Sequence, residues 1–120
     1  MTEIFSAAES FLPLPSASFH ILISLAEEER HGYAIIQDVA FRTGGKLTLS
    51  AGTLYRSIQR MLDQGLLREI QQRPLPEFDD ERRRYYGITD LGVAVAKAEA
   101  GRLQQLVQLA RASGFVEGQA

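Results

Sequence analysis

The chain has 120 residues, no cysteine, 13 basic and 15 acidic side chains, and a net charge of −2. That length suits one domain around one core, and apolar and charged fractions of 45% and 23% are those of an ordinary globular protein. The lack of cysteine excludes disulfides, thiolate metal sites and thiol nucleophiles, and fits a reducing cytoplasm.

No positively charged segment opens the chain, so no signal peptide is expected. The first dozen residues carry Ile4, Phe5, Ala8, Phe11 and Leu12, enough for a short amphipathic turn. Pro13 and Pro15 interrupt the backbone and set up a helix start, with Ser16 as its cap. Phe19, Leu22, Ile23 and Ala26 follow at i, i+3, i+4 and i+7 and predict the buried face of a first helix. His20 and Ser24 break this stretch, which is too short to span a bilayer. The run Glu27-Glu28-Glu29-Arg30 ends the helix and is expected in solvent.

His31-Gly32 begins a second helix with Ile35, Ile36, Val39 and Ala40 inward, and His31 is read as its cap. Gly44-Gly45 stops it, because glycine reaches the left-handed conformation a helix end needs. Ser50 is an N-cap for a third helix whose buried stripe is Leu54, Ile58, Met61 and Leu62, closed by Gly65. The period then changes to two. Residues 66–71 read as a strand and residues 84–88 as its partner, with a loop of two prolines and an acidic cluster between them. Thr89 caps a last helix running to about Ala112.

Three helices, a hairpin and a long helix make a mainly α chain with a small β-hairpin: a winged helix-turn-helix over residues 1–88 and a dimerisation helix with its tail over 89–120. In such a plan the third helix enters the major groove of duplex DNA. Its outward face holds Gly52, Thr53, Arg56, Gln59, Arg60 and Asp63, with Tyr55 on the flank. Arginine can bond a guanine edge bidentately, glutamine can pair with adenine, and the hydroxyls can reach phosphates. Ser50 and Gly52 leave the helix N-terminus open to a phosphate. Arg82, Arg83 and Arg84 stand where the wing's second strand begins and are expected on the DNA backbone, although charged side chains also blunt an exposed sheet edge. Residues 42–84 hold nine basic and six acidic side chains, so the segment is positive in an otherwise acidic chain.

The last helix is longer than a small winged-helix core can cover. Leu103, Leu106, Val107 and Ala110 are therefore expected to bury against a second copy, although Glu99 and Arg102 interrupt the stripe. A twofold dimer would set two reading helices about 34–36 Å apart on a pseudo-palindromic site.

His31-Gly32-Tyr33, Gly52-Thr53-Leu54-Tyr55, Gly65-Leu66-Leu67 and Arg83-Arg84-Tyr85-Tyr86 followed by Ile88-Thr89-Asp90-Leu91-Gly92 together resemble the PadR-type transcriptional regulators, over roughly residues 14–110. The resemblance implies a winged-helix dimer, usually a repressor, whose N-terminal and C-terminal helices form the dimer contact. On that ground Phe5 and Phe11 join the dimer residues. The commoner motif has proline where this chain has Ala51 and Arg56, so its base preference is expected to differ. The chain resembles the short branch of the family, which lacks a larger C-terminal domain. An aromatic small-molecule effector would then bind at the dimer interface, with Phe5, Phe11, Phe19 and Tyr33 as candidate lining residues that serve equally as core aromatics.

Enzymatic readings find no support in the residues. Gly44-Gly45-Lys46 lacks the upstream glycine and the Ser or Thr of a phosphate loop. His20 and His31, the two histidines, assemble with no nucleophile, base and orienting group. No metal or other cofactor is expected. A winged helix serving only as a protein-interaction module is the remaining rival, and Arg56 and Arg60 on the reading helix argue against it.

Overall fold

Helix α1 (Ser16–Ser24) starts on Pro15, in a computed structural model that describes residues 7–70 and 84–117. Ser16 does not cap it. Pro15 occupies the cap position without a side-chain bond, and its carbonyl accepts the Phe19 N–H at 3.1 Å. The face α1 buries also differs from expectation. Ser18, Ile21, Leu22 and Leu25 go inward, whereas Ile23 and Ala26 are exposed and Phe19 is half-buried. Apolar side chains surround this helix, so spacing alone does not choose a face. Its packing on three other helices makes the choice.

The acidic run is exposed at Glu27, Glu28 and Glu29, but Arg30 is half-buried, which corrects its placement in solvent. Its Nε donates to the Ser24 carbonyl at 2.8 Å, and a terminal nitrogen lies 3.2 Å from Glu28 and 3.5 Å from Asp38. Arg30 and His31 form strand β1 (Arg30–His31), an element unforeseen in the sequence. The His31 Nδ1 accepts the Ala34 N–H at 3.1 Å and caps α2 (Gly32–Arg42), as expected. That helix buries Ile35 and Val39, with Ile36 and Ala40 half-buried, and ends on Gly44 and Gly45, at φ of 61° and 82°.

Helix α3 (Ala51–Asp63) is capped by Ser50, whose Oγ accepts the Thr53 N–H at 3.1 Å. Leu54, Ile58 and Met61 are buried along it and Leu62 is half-buried. After α3 the chain turns at Gly65, and the Leu66 N–H returns to the Met61 carbonyl at 2.8 Å. Strands β2 (Leu67–Ile70) and β3 (Tyr85–Ile88) pair antiparallel with Leu67 opposite Ile88, and the sheet order is β1-β3-β2. The expected loop between them falls outside the described residues. The two-stranded wing thus gains a third strand from the turn before α2.

Helix α4 (Asp90–Ala112) is capped by the Thr89 Oγ, which accepts the Gly92 N–H at 3.0 Å. Its first half shares the core, with Val95 buried and Leu91, Ala94 and Ala98 packed against the cluster formed by Ile21, Leu22, Ile35, Leu54, Ile58 and Leu66. Glu99, expected only to interrupt an apolar stripe, is 2% exposed. Arg102 holds it with two bonds of 2.8 Å, Nε to one carboxylate oxygen and a terminal nitrogen to the other. These bonds, followed by the Leu14 backbone N–H, keep its carboxyl below the usual glutamate range despite burial.

A depressed carboxylate contributes stability that is complete above the unfolded-state value and is lost as pH falls through the folded one. Stability is therefore expected to fall with acid below about pH 4.5, the ordinary glutamate value. Glu99→Gln should flatten that slope while costing about 1 kcal/mol at neutral pH, since Arg102 is partly exposed and its charge screened. Urea titrations of both proteins between pH 3 and 7 test this. An unchanged acid slope in the variant would assign the acid sensitivity elsewhere.

Candidate nucleic-acid interface

The outward face of α3 is where its sequence periodicity placed it. Gly52, Tyr55, Arg56, Gln59, Arg60 and Asp63 are exposed, and Thr53 is half-buried. The Ser50 hydroxyl, besides capping, donates to the Thr53 Oγ at 3.1 Å, so these two side chains fix each other at the helix start. Gln59 donates to Asp63 at 3.1 Å, which occupies the acid of this face.

The arginines divide into two groups. Arg30, Arg42, Arg68, Arg84 and Arg102 each have a carboxylate within 4.0 Å. Asp38 serves both Arg30 and Arg42; burial alone would raise its carboxyl, but its bond from Arg42 and the nearby positive charge of both arginines hold it below the usual range. Arg56 and Arg60 on α3, and Arg111 near the end of α4, have no such partner among the described residues. Two uncompensated cations one helical turn apart leave a local positive field on the face of α3. Arg56 lies back over the first turn, so that a side chain at position 52 would start 3.1 Å from its Nη1. Gly52 leaves that path open.

Tyr55 is exposed over about half its surface, and its ring rests on Gly32, where a methyl group would sit 2.8 Å from its Cζ. The His-Gly-Tyr and Gly-Thr-Leu-Tyr segments are thus two sides of one contact between α2 and α3. A second contact joins Gly65-Leu66 to Thr89 and Gly92. The Thr89 Oγ donates to the Gly65 carbonyl at 2.6 Å and the Thr89 N–H to the Leu66 carbonyl at 3.1 Å. A methyl at Gly92 would meet that Leu66 carbonyl and the Ile88 side chain. Sequence reading treated these glycines as separate motif letters and missed their role as sockets. Close approach shows only once the helices are placed.

On the wing, Arg84 is exposed and its Nε lies 3.7 Å from Glu69 on the neighbouring strand, so part of its charge is met within the protein. Arg82 and Arg83 lie outside the described residues. Of the expected dimer residues, Leu106 and Val107 are 52% and 45% exposed, and Leu103 and Ala110 are half-buried. Leu109 at 62% and Phe115 at 81% extend the same apolar end and were not singled out from sequence. Phe11 packs against the protomer's own core, and Phe5 lies outside the described residues. Phe19 is half-buried and Tyr33 exposed. A cleft of about 400 Å3 between the end of α1 and the sheet is lined by Leu25, Glu27, Glu29, Arg68 and Ile88 among others, and by none of these aromatics. Among the described residues no group of three acidic or histidine side chains could hold a metal ion, and no helix is long and apolar enough to cross a membrane.

A helix-turn-helix of α2 and α3 beside a β2–β3 wing, with an exposed cationic reading face, defines a winged-helix DNA-binding protein. The family model described as the transcriptional regulator PadR-like family matches residues 21–98. The chain belongs to the PadR-like family; it is a DNA-binding transcription regulator and not an enzyme. An uncharacterized protein of Lysinibacillus sphaericus is 32% identical over 101 residues, covering 82% of this chain and 85% of that relative. A transcriptional regulator from Clostridium thermocellum has the same fold, with a TM-score of 0.70 at 23% identity over 84% of this chain and 90% of its own. A PadR family transcription regulator from Clostridium difficile R20291 also matches, with a TM-score of 0.69 at 20% identity over 81% and 96%.

Proposed function

We propose that the protein represses transcription in the cytoplasm by binding a pseudo-palindromic operator as a homodimer, with α3 of each protomer in successive major grooves. The observation that carries this reading is the pair of uncompensated cations, Arg56 and Arg60, on the one helix that a winged helix offers to the groove. Arg56, Gln59 and Thr53 face base edges, whereas Ser50, Gly52 and Tyr55 meet phosphates around the helix start. Arg60 and the wing arginines 82–84 complete the backbone contacts. The apolar end of α4, from Leu103 to Ala110 with Leu106 and Val107 exposed, pairs the protomers, with Phe5 and Phe11 contributing from the N-terminal segment. A bound dimer covers two half-sites about one helical turn apart and blocks access of a polymerase to that stretch. An aromatic effector would bind between the protomers, beside this apolar end.

Selection of bound fragments from sheared genomic DNA of the source, followed by affinities at 50 and 200 mM salt, tests the reading. An enriched pseudo-palindrome is expected, with affinity falling by about a thousandfold over that range. Binding without an enriched motif would leave an architectural role. Absence of binding, with salt-insensitive association to proteins instead, would favour an interaction module.

A further inference from the structure

Besides the core they share, the reading helix and the long helix meet where the turn that ends α3 is bonded to the first turn of α4. Helix α3 ends in the Gly65 turn, where the backbone reverses and leaves the Gly65 and Leu66 carbonyls directed at the start of α4. Both are taken by one residue. The Thr89 hydroxyl donates to the Gly65 carbonyl at 2.6 Å and its N–H to the Leu66 carbonyl at 3.1 Å. The same hydroxyl accepts the Gly92 N–H at 3.0 Å, so its one proton and a lone pair are both committed. Gly92 is buried against the Leu66 carbonyl, and any side chain there would push the first turn of α4 off the turn that ends α3.

We infer that Thr89 and Gly92 are positioning residues that set the angle between α3 and α4, and through it the half-site spacing the dimer accepts. The inference rests on the proposed dimeric, operator-reading function. The lever makes it sensitive. Helix α4 has 23 residues, hence a length of about 34 Å, and its far end carries the exposed apolar side chains. A tilt of about 6° at its base displaces one end relative to the other by about 3.4 Å, the rise of one base-pair step. With the far ends held together in a dimer, that displacement appears between the two reading helices. A single hydroxyl and a missing methyl group therefore act on DNA geometry without touching DNA.

The test separates capping from clamping. Thr89→Ser keeps both bonds. Thr89→Asp keeps a good N-cap for α4, but an ionised carboxylate has no proton for the Gly65 carbonyl. Gly92→Ala inserts the obstructing methyl. Each full-length variant is offered duplexes carrying two half-sites with the spacer varied one base pair at a time, and a duplex with one half-site. The wild type and Thr89→Ser are expected to prefer one spacer by about tenfold over its neighbours, comparable to the cost of one mismatched base pair. Thr89→Asp and Gly92→Ala are expected to bind the single half-site as the wild type does, yet to prefer another spacer or to discriminate less than about twofold.

A clamp that merely supports the fold would lower the melting temperature and leave the preferred spacer unchanged, and that result in Thr89→Asp overturns the inference even where Gly92→Ala fails to fold. A wild type that takes paired half-sites at every spacer equally also overturns it, with the dimeric reading intact. A wild type that selects no paired half-sites refutes the dimeric reading itself, and the inference with it.

Discussion

Replacing Leu106 and Val107 together with glutamate is expected to give a folded monomer that binds its operator about a thousandfold more weakly. Both side chains are roughly half exposed on α4 and take no part in the protomer's core, so the substitution removes no core contact. In a twofold dimer the same two side chains appear twice, and each buried Leu or Val contributes about 1.5–3 kcal/mol of association. Their replacement removes that contribution and sets like charges against each other across the axis. Losing the link between two reading heads forfeits an avidity of about 10²–10⁴. Light scattering and operator titration measure the two effects. A variant that remains a dimer at micromolar concentration would refute the assignment of this surface.

The second large effect is expected at Arg56. It lies on the second turn of α3, near the N-terminal end that meets base edges, and among the described residues its guanidinium has no carboxylate to release before it binds. Arg56→Ala should weaken the selected operator by about 10–100-fold, the value of one bidentate guanine contact, and should barely change binding to random duplex. Arg60→Ala, one turn further along, should weaken both DNAs alike and lower the slope of log affinity against log salt by about 1. Titrations of each variant on both duplexes at several salt concentrations decide the assignment. An equal loss on both DNAs for Arg56→Ala would make it a phosphate contact and leave base reading to Gln59 and Thr53.

Much of this was legible in the chain because it depends on neighbours in sequence. Ser50, Thr89 and His31 cap the helices they precede, and a cap needs only an acceptor within three residues of an open N–H. Gly44, Gly45 and Gly65 adopt positive φ where the helices stop. The outward face of α3 could be read because its apolar residues mark one side only, so the polar face follows from the helical period. The same logic failed for α1. Apolar side chains encircle that helix, and the chain alone offered no reason to bury Ile21 and Leu25 in place of Ile23 and Ala26.

The features that only the tertiary structure decided all involve partners far apart in sequence. Strand β1 exists because β3 presents an edge to Arg30 and His31, residues whose types carry no strand signal. Glu99 is buried where the Leu14 backbone, far away in the chain, meets it. Gly32 and Gly92 are sockets for Tyr55 and for the Leu66 carbonyl, one across the helix-turn-helix and the other across the joint between α3 and α4. Local hydrogen bonding and periodicity act over a few residues, so the sequence by itself determined the elements, their ends and the reading face. Which surfaces lie within a methyl group of each other depends on how the elements pack, and packing is settled only when the whole core closes.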